Sequence, residues 1–156
     1  MDNAGSDPAT LPVPADHPMH ALAAYLGRLQ AGRNFPRPRD FDILACRAYA
    51  GWIHLLDVIN DPERDYVFVI HASRIADLTG HDHQGRRVSA IADAARRDHL
   101  REVLDRVLAN RMPEFTRDCT RGATRFGTSR AFDRLVWPMS TDGSDIDRLL
   151  VCIRPI

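Results

Sequence analysis

The run GHDHQGRR, residues 80–87, contains the residue types best suited to chemistry in this sequence. His81, Asp82 and His83 stand side by side between two glycines, and imidazole and carboxylate groups serve as metal ligands and as acid–base catalysts. Neighbouring positions on an extended segment point to opposite sides, however, and no cysteine lies nearby to complete a structural zinc site. An aspartate between glycines accepts backbone N–H bonds and ties a loop. The run is therefore predicted to be a shaped turn, with no metal bound.

Two histidines within predicted strands are the other candidates for chemistry. His54 and His71 are either hydrogen-bonded residues at the sheet or cavity wall, or groups that sense pH or act as ligands. Together with Asp57 they supply the base and the orienting partner that a small α+β cone-fold enzyme needs, an isomerase or hydrolase acting on an apolar small molecule. No phrase in the sequence fixes their relative geometry, so this enzyme is the alternative and a non-enzymatic module is the preferred interpretation.

The composition excludes several other classes of protein. The chain has 156 residues, 44% hydrophobic and 27% charged, which fits one globular domain. Its 21 basic residues balance 21 acidic ones, so it lacks the positive field that draws proteins to nucleic acid or acidic membranes. No segment has the apolar length of a membrane span. Three widely spaced cysteines without a C-x-x-C pair indicate a reducing compartment, and a cytoplasmic protein is predicted.

The order of periodic segments predicts the architecture. Residues 1–16 are rich in proline without an apolar pattern and are predicted to be a flexible tail, and residues 17–34 form an amphipathic helix. A short helix over 40–49, paired strands over 51–59 and 66–71, a short helix over 73–78 and a long helix over 98–112 follow. Three strands end the chain. We therefore expect an α+β domain at 35–156, with a five-stranded antiparallel sheet and helices on one face.

These elements and several phrases resemble the PAS fold. The phrases are FDIL leading into WIHLLDV, GHDHQGRR after the short helix, and FDRLVWPMSTDGSDIDRLL near the end. More narrowly, the chain is similar to a bacterial family of small stand-alone PAS-like proteins, over residues 35 to 154. The resemblance implies a sensory or protein-interaction module that holds a small ligand in a central cavity. It also implies signal transduction through a partner protein.

The apolar stripes of the predicted strands and helices indicate which side chains line such a cavity. The candidates are Ile53, Leu55, Phe68, Ile75, Val103, Val107, Trp137 and Leu149. A strand placed one residue out of register would swap its two faces. Some PAS sensors hold haem through a histidine on the long helix, where His99 stands here. Because Asp98 and Arg101 flank His99, we expect it to face water, and no cofactor is predicted.

The N-terminal helix carries an apolar stripe that needs a cover. Its members are Met19, Leu22, Tyr25, Leu26 and Leu29. The stripe either packs on the chain's own sheet or pairs with the same helix of a second chain. PAS-like modules often associate through helices that flank the core, so the resemblance favours a homodimer with this helix as the interface.

Overall fold

The structure is a computed structural model that describes residues 10–123, 125–126 and 129–156. The described residues form three α-helices, three 3-10 segments, one of them kinked at Cys46, and five strands. The α-helices are α1 (His20–Gln30), α2 (Ser73–Thr79) and α3 (Ala94–Asn110), and the 3-10 helices are Pro38–Asp40, Ile43–Trp52 and Val88–Ala90. The strands are β1 (Ile53–Asn60), β2 (Arg64–Ile70), β3 (Glu114–Ala123), β4 (Ser129–Met139) and β5 (Arg148–Pro155). No helix in the described part of the chain is long and apolar enough to cross a membrane.

The five strands form one antiparallel sheet in the order β2-β1-β5-β4-β3. β1 pairs with β2 on one side and with β5 on the other, so the first hairpin is joined to the last three strands through β5. β4 lies between β5 and β3. The predicted α+β class and five-stranded antiparallel sheet are confirmed.

Both faces of the sheet are buried, and alternate residues of each strand serve different faces. On one face, α1 and the 3-10 helix Ile43–Trp52 pack against the sheet, and on the other face lies α3. In β1, Ile53 and Leu55 belong to the first cluster, whereas Leu56 belongs to the second. Buried side chains therefore occur in runs rather than in strict alternation with polar ones, as sheets covered on both sides require.

The apolar stripe of α1 packs on the chain's own sheet. Met19, Leu22 and Leu26 are fully buried, and Tyr25 and Leu29 pack against the same cluster as Trp137 and Leu150. Of the two arrangements that the sequence left open, packing on the chain's own sheet is the observed one. The expectation that this stripe forms a dimer interface is corrected. The homodimer itself stays a prediction.

The segment before α1 is only partly described. Residues 1–9 of the expected flexible tail lie outside the described residues. Val13 is buried in the cluster beneath α1, and the His17 ring lies with its Nε2 2.6 Å from Asp133 Oδ2 on β4. Because these contacts bind the chain to the sheet ahead of the helix, α1 begins at His20 rather than directly after Asp16.

The long helix begins earlier than its periodicity indicates. Asp93 accepts a hydrogen bond from the Arg96 backbone N–H and caps α3 at Ala94, four residues before the expected start at Asp98. The additional turn carries Arg96 and places His99 inside the helix rather than at its first residues.

Candidate functional site

A cavity of about 400 Å³ lies between the sheet, α2, the first turns of α3 and the GHDHQGRR loop. Its size is at the small end of the range of about 300–1,000 Å³ that ligand pockets occupy. Its wall combines apolar side chains with imidazoles and guanidinium groups. The lining residues used below are His54, Phe68, His71, Ile75, His83, Ile91, Asp93, Arg96, His99, Leu100, Phe132, Arg134 and Val151.

The GHDHQGRR loop has the shaped turn that the sequence predicted. Gly80 ends α2 with φ of 79°, and Gly85 has φ of 78°, both in the left-handed region that glycine favours. Asp82 Oδ1 accepts the Gln84 backbone N–H at 2.9 Å, which ties the turn. Gly85 N–H also donates to the Phe68 carbonyl at 2.7 Å and fixes the loop against β2. The turn interpretation is confirmed at these positions.

One histidine of this loop belongs to the cavity, which the sequence analysis missed. The His83 ring stacks on Phe68 with centroids 5.9 Å apart, and it meets His71 edge-on at 5.3 Å. His81 is exposed. The two imidazole rings stack with centroids 6.2 Å apart, but only His83 lines the cavity. Its stacking partner Phe68 was a predicted cavity residue. The sequence does not show that the backbone of Phe68 is hydrogen-bonded to the loop, which brings His83 to the cavity.

His54 and His71 come together at the back of the cavity. Their ring centroids are 4.5 Å apart, and both side chains are buried. The Ala72 backbone N–H donates to His54 Nδ1 at 2.9 Å, so the proton of the neutral ring is on Nε2. His71 Nδ1 is buried without a hydrogen-bond partner among the described residues, and Asp82 Oδ1 lies 3.7 Å away.

Burial makes these imidazoles poor proton acceptors. It lowers the pKa of His71 to about 4, with the neighbouring His83 adding to the effect and Asp82 opposing it. Burial also lowers the pKa of His54 well below its ordinary value, and His71 and His83 lower it further. The pKa of His83 is lowered chiefly by its own burial. At neutral pH the cluster is therefore a set of uncharged rings that offer polar atoms within an apolar wall.

Arg134 is the buried charge of the cavity. It lies on β4 opposite Ile153 of β5, and only 3% of its surface is exposed. One terminal guanidinium nitrogen is 3.3 Å from His99 Nε2 on α3. Burial and the Arg134 charge lower the pKa of His99. His99 therefore lines the cavity, and the expectation that it faces water is corrected.

His99 does not present itself as a haem ligand. The imidazole nitrogen that would coordinate iron is the one that lies against the Arg134 guanidinium. The described residues contain no group of three or more histidine, cysteine or acidic side chains with the spacing of a metal site.

The predicted catalytic partner of the two histidines lies elsewhere. Asp57 Oδ1 accepts a hydrogen bond from Arg148 Nε at 2.7 Å, and it does not line the cavity that contains His54 and His71. Asp57 therefore does not orient either imidazole as a base, and the Asp82 carboxylate, 3.7 Å from His71 Nδ1, lies beyond hydrogen-bonding distance.

Of the eight expected cavity residues, Phe68 and Ile75 line the cavity. Both lie at its β2 and α2 side, where the strand-to-helix connection turns across the sheet. Three more are buried on the same face of the sheet but belong to the core under α3 rather than to the cavity wall: Val103, Val107 and Leu149.

The other three expected residues lie on the opposite face. Ile53, Leu55 and Trp137 pack in the cluster beneath α1. β1 has the register that swaps its faces relative to the expectation, so His54 rather than Ile53 or Leu55 reaches the cavity. The sequence could not decide this, because β1 is apolar on both faces around His54.

The sheet order and the long helix packed across one face define an α+β domain with a cavity between the two. A family model for the PAS domain matches residues 15–154, so the chain belongs to the PAS domain family. The match includes α1. PAS domains are generally non-enzymatic sensory modules that mediate protein interactions, and this membership indicates a sensory or signalling module.

Comparison with solved structures gives the following similarities. The chain is similar to the sensory box sensor histidine kinase from Vibrio cholerae, with 18% identity, a TM-score of 0.51, and coverage of 73% of this chain and 89% of that chain. A PAS domain of a protein from Colwellia psychrerythraea gives 15% identity, a TM-score of 0.47, and coverage of 74% and 98%. At such identities the likeness concerns the fold alone. Comparison with curated proteins gives no match.

Proposed function

We propose that this chain is a non-enzymatic sensory module that binds a small molecule in its cavity and passes the signal to a partner protein. The observation that carries the proposal is the cavity of about 400 Å³ with an apolar wall and a few convergent polar groups. Ligand pockets have this composition, because apolar area gives affinity and a small number of polar atoms give orientation.

Two features support a response to the ligand rather than passive storage. The wall is built from α2, the GHDHQGRR loop and α3 as well as the sheet, so a ligand contacts elements that can move relative to one another. The loop is joined to β2 by two backbone hydrogen bonds, from Gly85 to Phe68 and from Phe68 to Arg86. A ligand that displaces His83 would therefore change the loop surface, which is a route to a partner.

The imidazoles of the cavity wall favour a sensor over the alternative enzyme. The imidazoles at the cavity wall are poor bases at neutral pH, and Asp57 lies away from them. The buried Cys46 and Cys152 are free thiols, which suits the cytoplasm as the location we propose.

Filling the cavity tests the proposal. Native mass spectrometry of the purified protein reports any molecule bound in it, and a thermal-shift screen of small organic compounds finds ligands for the empty protein. Ile75→Trp on α2 should abolish retention of a molecule that copurifies with the protein. It should weaken binding of a ligand found by the screen by about tenfold or more, since an indole occupies the space the ligand needs. Asp77→Trp places the same ring on the exposed side of the same helix and should bind normally.

Two outcomes would contradict the proposal. One is the absence of any bound molecule together with no hit in the screen. The other is a ligand that binds Ile75→Trp as tightly as the wild type, because that ligand would occupy another site.

A further inference from the structure

Arg134 carries a positive charge in a position where proteins rarely leave one without a partner. Only 3% of its surface is exposed. It lies in the middle of β4, which has a neighbouring strand on each side. A buried charge is retained when an opposite charge or several hydrogen bonds compensate for lost water. The compensation for this guanidinium must come from the cavity or from the residues around it.

The described residues do not supply an ion pair for Arg134. Its recorded hydrogen-bond partner is the uncharged His99 ring at 3.3 Å. The carboxylate of Glu114, on the adjacent strand, is held by Arg106 through two hydrogen bonds of 2.8 and 2.6 Å. Glu114 therefore makes its guanidinium hydrogen bonds with Arg106. Burial lowers the pKa of Arg134, and the Glu114 charge acts on Arg134 only through space, where it opposes this effect by raising the pKa.

The remaining charges at the cavity wall leave it positive. Arg96 on α3 also lines it, and among the described lining residues the one carboxylate is Asp93, which accepts the Arg96 backbone N–H as the cap of α3. The imidazoles of His54 and His71 contribute polar atoms without charge at neutral pH, because burial lowers their pKa values. The buried Nδ1 of His71 lacks a hydrogen-bond partner among the described residues, so the wall also holds an unused polar atom.

The rest of the wall is apolar. Phe68, Ile91, Leu100, Phe132 and Val151 surround the polar groups. An inorganic anion would leave this surface uncovered, whereas an uncharged apolar molecule would leave the guanidinium uncompensated. A ligand that satisfies both requirements has an apolar body and one anionic end.

We propose that the cavity binds a small organic monocarboxylate, with its carboxylate on Arg134 and its apolar body against Phe68 and Phe132. The inference rests on the proposed function and specifies the ligand class for the same cavity. A carboxylate matches the two parallel N–H donors of a guanidinium. It also brings one negative charge to one buried positive charge, whereas a phosphate would add a second charge to an apolar wall.

The test compares ligands that differ only in their charged end. Isothermal titration with phenylacetate, hexanoate and benzoate is set against phenylacetamide, hexanamide and benzamide, and inorganic phosphate is the body-free anion. The wild type should bind at least one of the acids about tenfold or more tightly than its amide. Phosphate should bind much more weakly than that acid. Equal affinities for each acid and its amide would overturn the inference.

Substitutions at Arg134 assign the preference to this residue. Arg134→Met should weaken binding of the carboxylate by about 10–100-fold and remove the preference for the acid over its amide, since it deletes a charge-assisted hydrogen-bonded pair. Arg134→Lys should keep the preference at reduced affinity. The control Arg130→Gln removes an exposed guanidinium from the same strand and should bind as the wild type does. An unchanged preference in Arg134→Met would overturn the inference.

Stability separates a ligand-binding role from a structural one. Without ligand, Arg134→Met should unfold at a higher temperature than the wild type, because it replaces a buried charge that no described carboxylate hydrogen-bonds with an apolar side chain. A large loss of thermal stability would instead show that the charge serves the fold, and the inference would fail. If amides and acids bind equally but Ile75→Trp blocks both, the monocarboxylate inference fails while the proposed sensor stands. If native mass spectrometry shows no bound molecule and none of the compounds of the screen binds, both fail.

Discussion

Acidification to pH 5 should destabilise this protein through the imidazoles of the cavity, and His71 allows the size of the effect to be calculated. Its pKa is about 4 in the folded protein against an ordinary value of 6.5. Between these values the unfolded chain binds a proton that the folded chain does not. The free energy of unfolding therefore falls as the pH drops through 6.5 and levels off below about 4.

The expected loss between pH 7 and pH 5 is about 2 kcal/mol from His71 alone, since one pKa unit corresponds to about 1.4 kcal/mol. The pKa values of His54, His83 and His99 are lowered too, so these residues add to the loss in the same direction. For a chain of this length, the His71 contribution corresponds to a fall of about 4–8 °C in the midpoint of thermal unfolding. Carboxylates with lowered pKa values, such as Asp65, act mainly below this pH window.

The assay is urea unfolding followed by circular dichroism at pH 7, 6 and 5. His71→Phe keeps an aromatic ring between His54 and Phe68 without a titrating group, so its stability should fall by about 2 kcal/mol less than that of the wild type. His81→Ala removes an exposed imidazole from the nearby loop and should follow the wild type. A wild type of equal stability at pH 7 and pH 5, or His71→Phe with the wild-type slope, would refute the reasoning.

Three further substitutions test the fold, each by urea unfolding. Gly85→Val should cost about 1–2 kcal/mol from backbone strain alone, because φ is 78° and no atom lies near the added Cβ; an unchanged stability would contradict this. Leu104→Ala should lower the free energy of unfolding by about 2–5 kcal/mol, because it leaves a cavity beneath α3. A loss below about 1 kcal/mol would argue against that packing. Leu22→Asp should cost at least about 3 kcal/mol at every protein concentration, since this side chain is buried within one chain. A loss that appears only on dilution, with dimer dissociation in light scattering, would restore the dimer interface.

The sequence by itself determined the class of fold. Strand-forming runs, the long amphipathic helix and the glycines of GHDHQGRR act locally, through backbone preferences and the spacing of apolar residues, so they predict five strands, α3 and the turn. Asp82 between the two glycines is a further local signal, because an Asx turn closes within three residues.

The tertiary structure alone decided which side chains form the site. In a strand that is apolar on both faces, the local sequence does not indicate which side chains point to which face. Only the pairing of β1 with β2 and β5 placed His54 at the cavity and Ile53 beneath α1. Arg134 and His99 are 35 positions apart and meet because α3 crosses β4. Likewise, the stripe of α1 is the same for packing on its own sheet or on a second chain, since burial of apolar surface is not directional. The face of the chain's own sheet that α1 covers decided between the two.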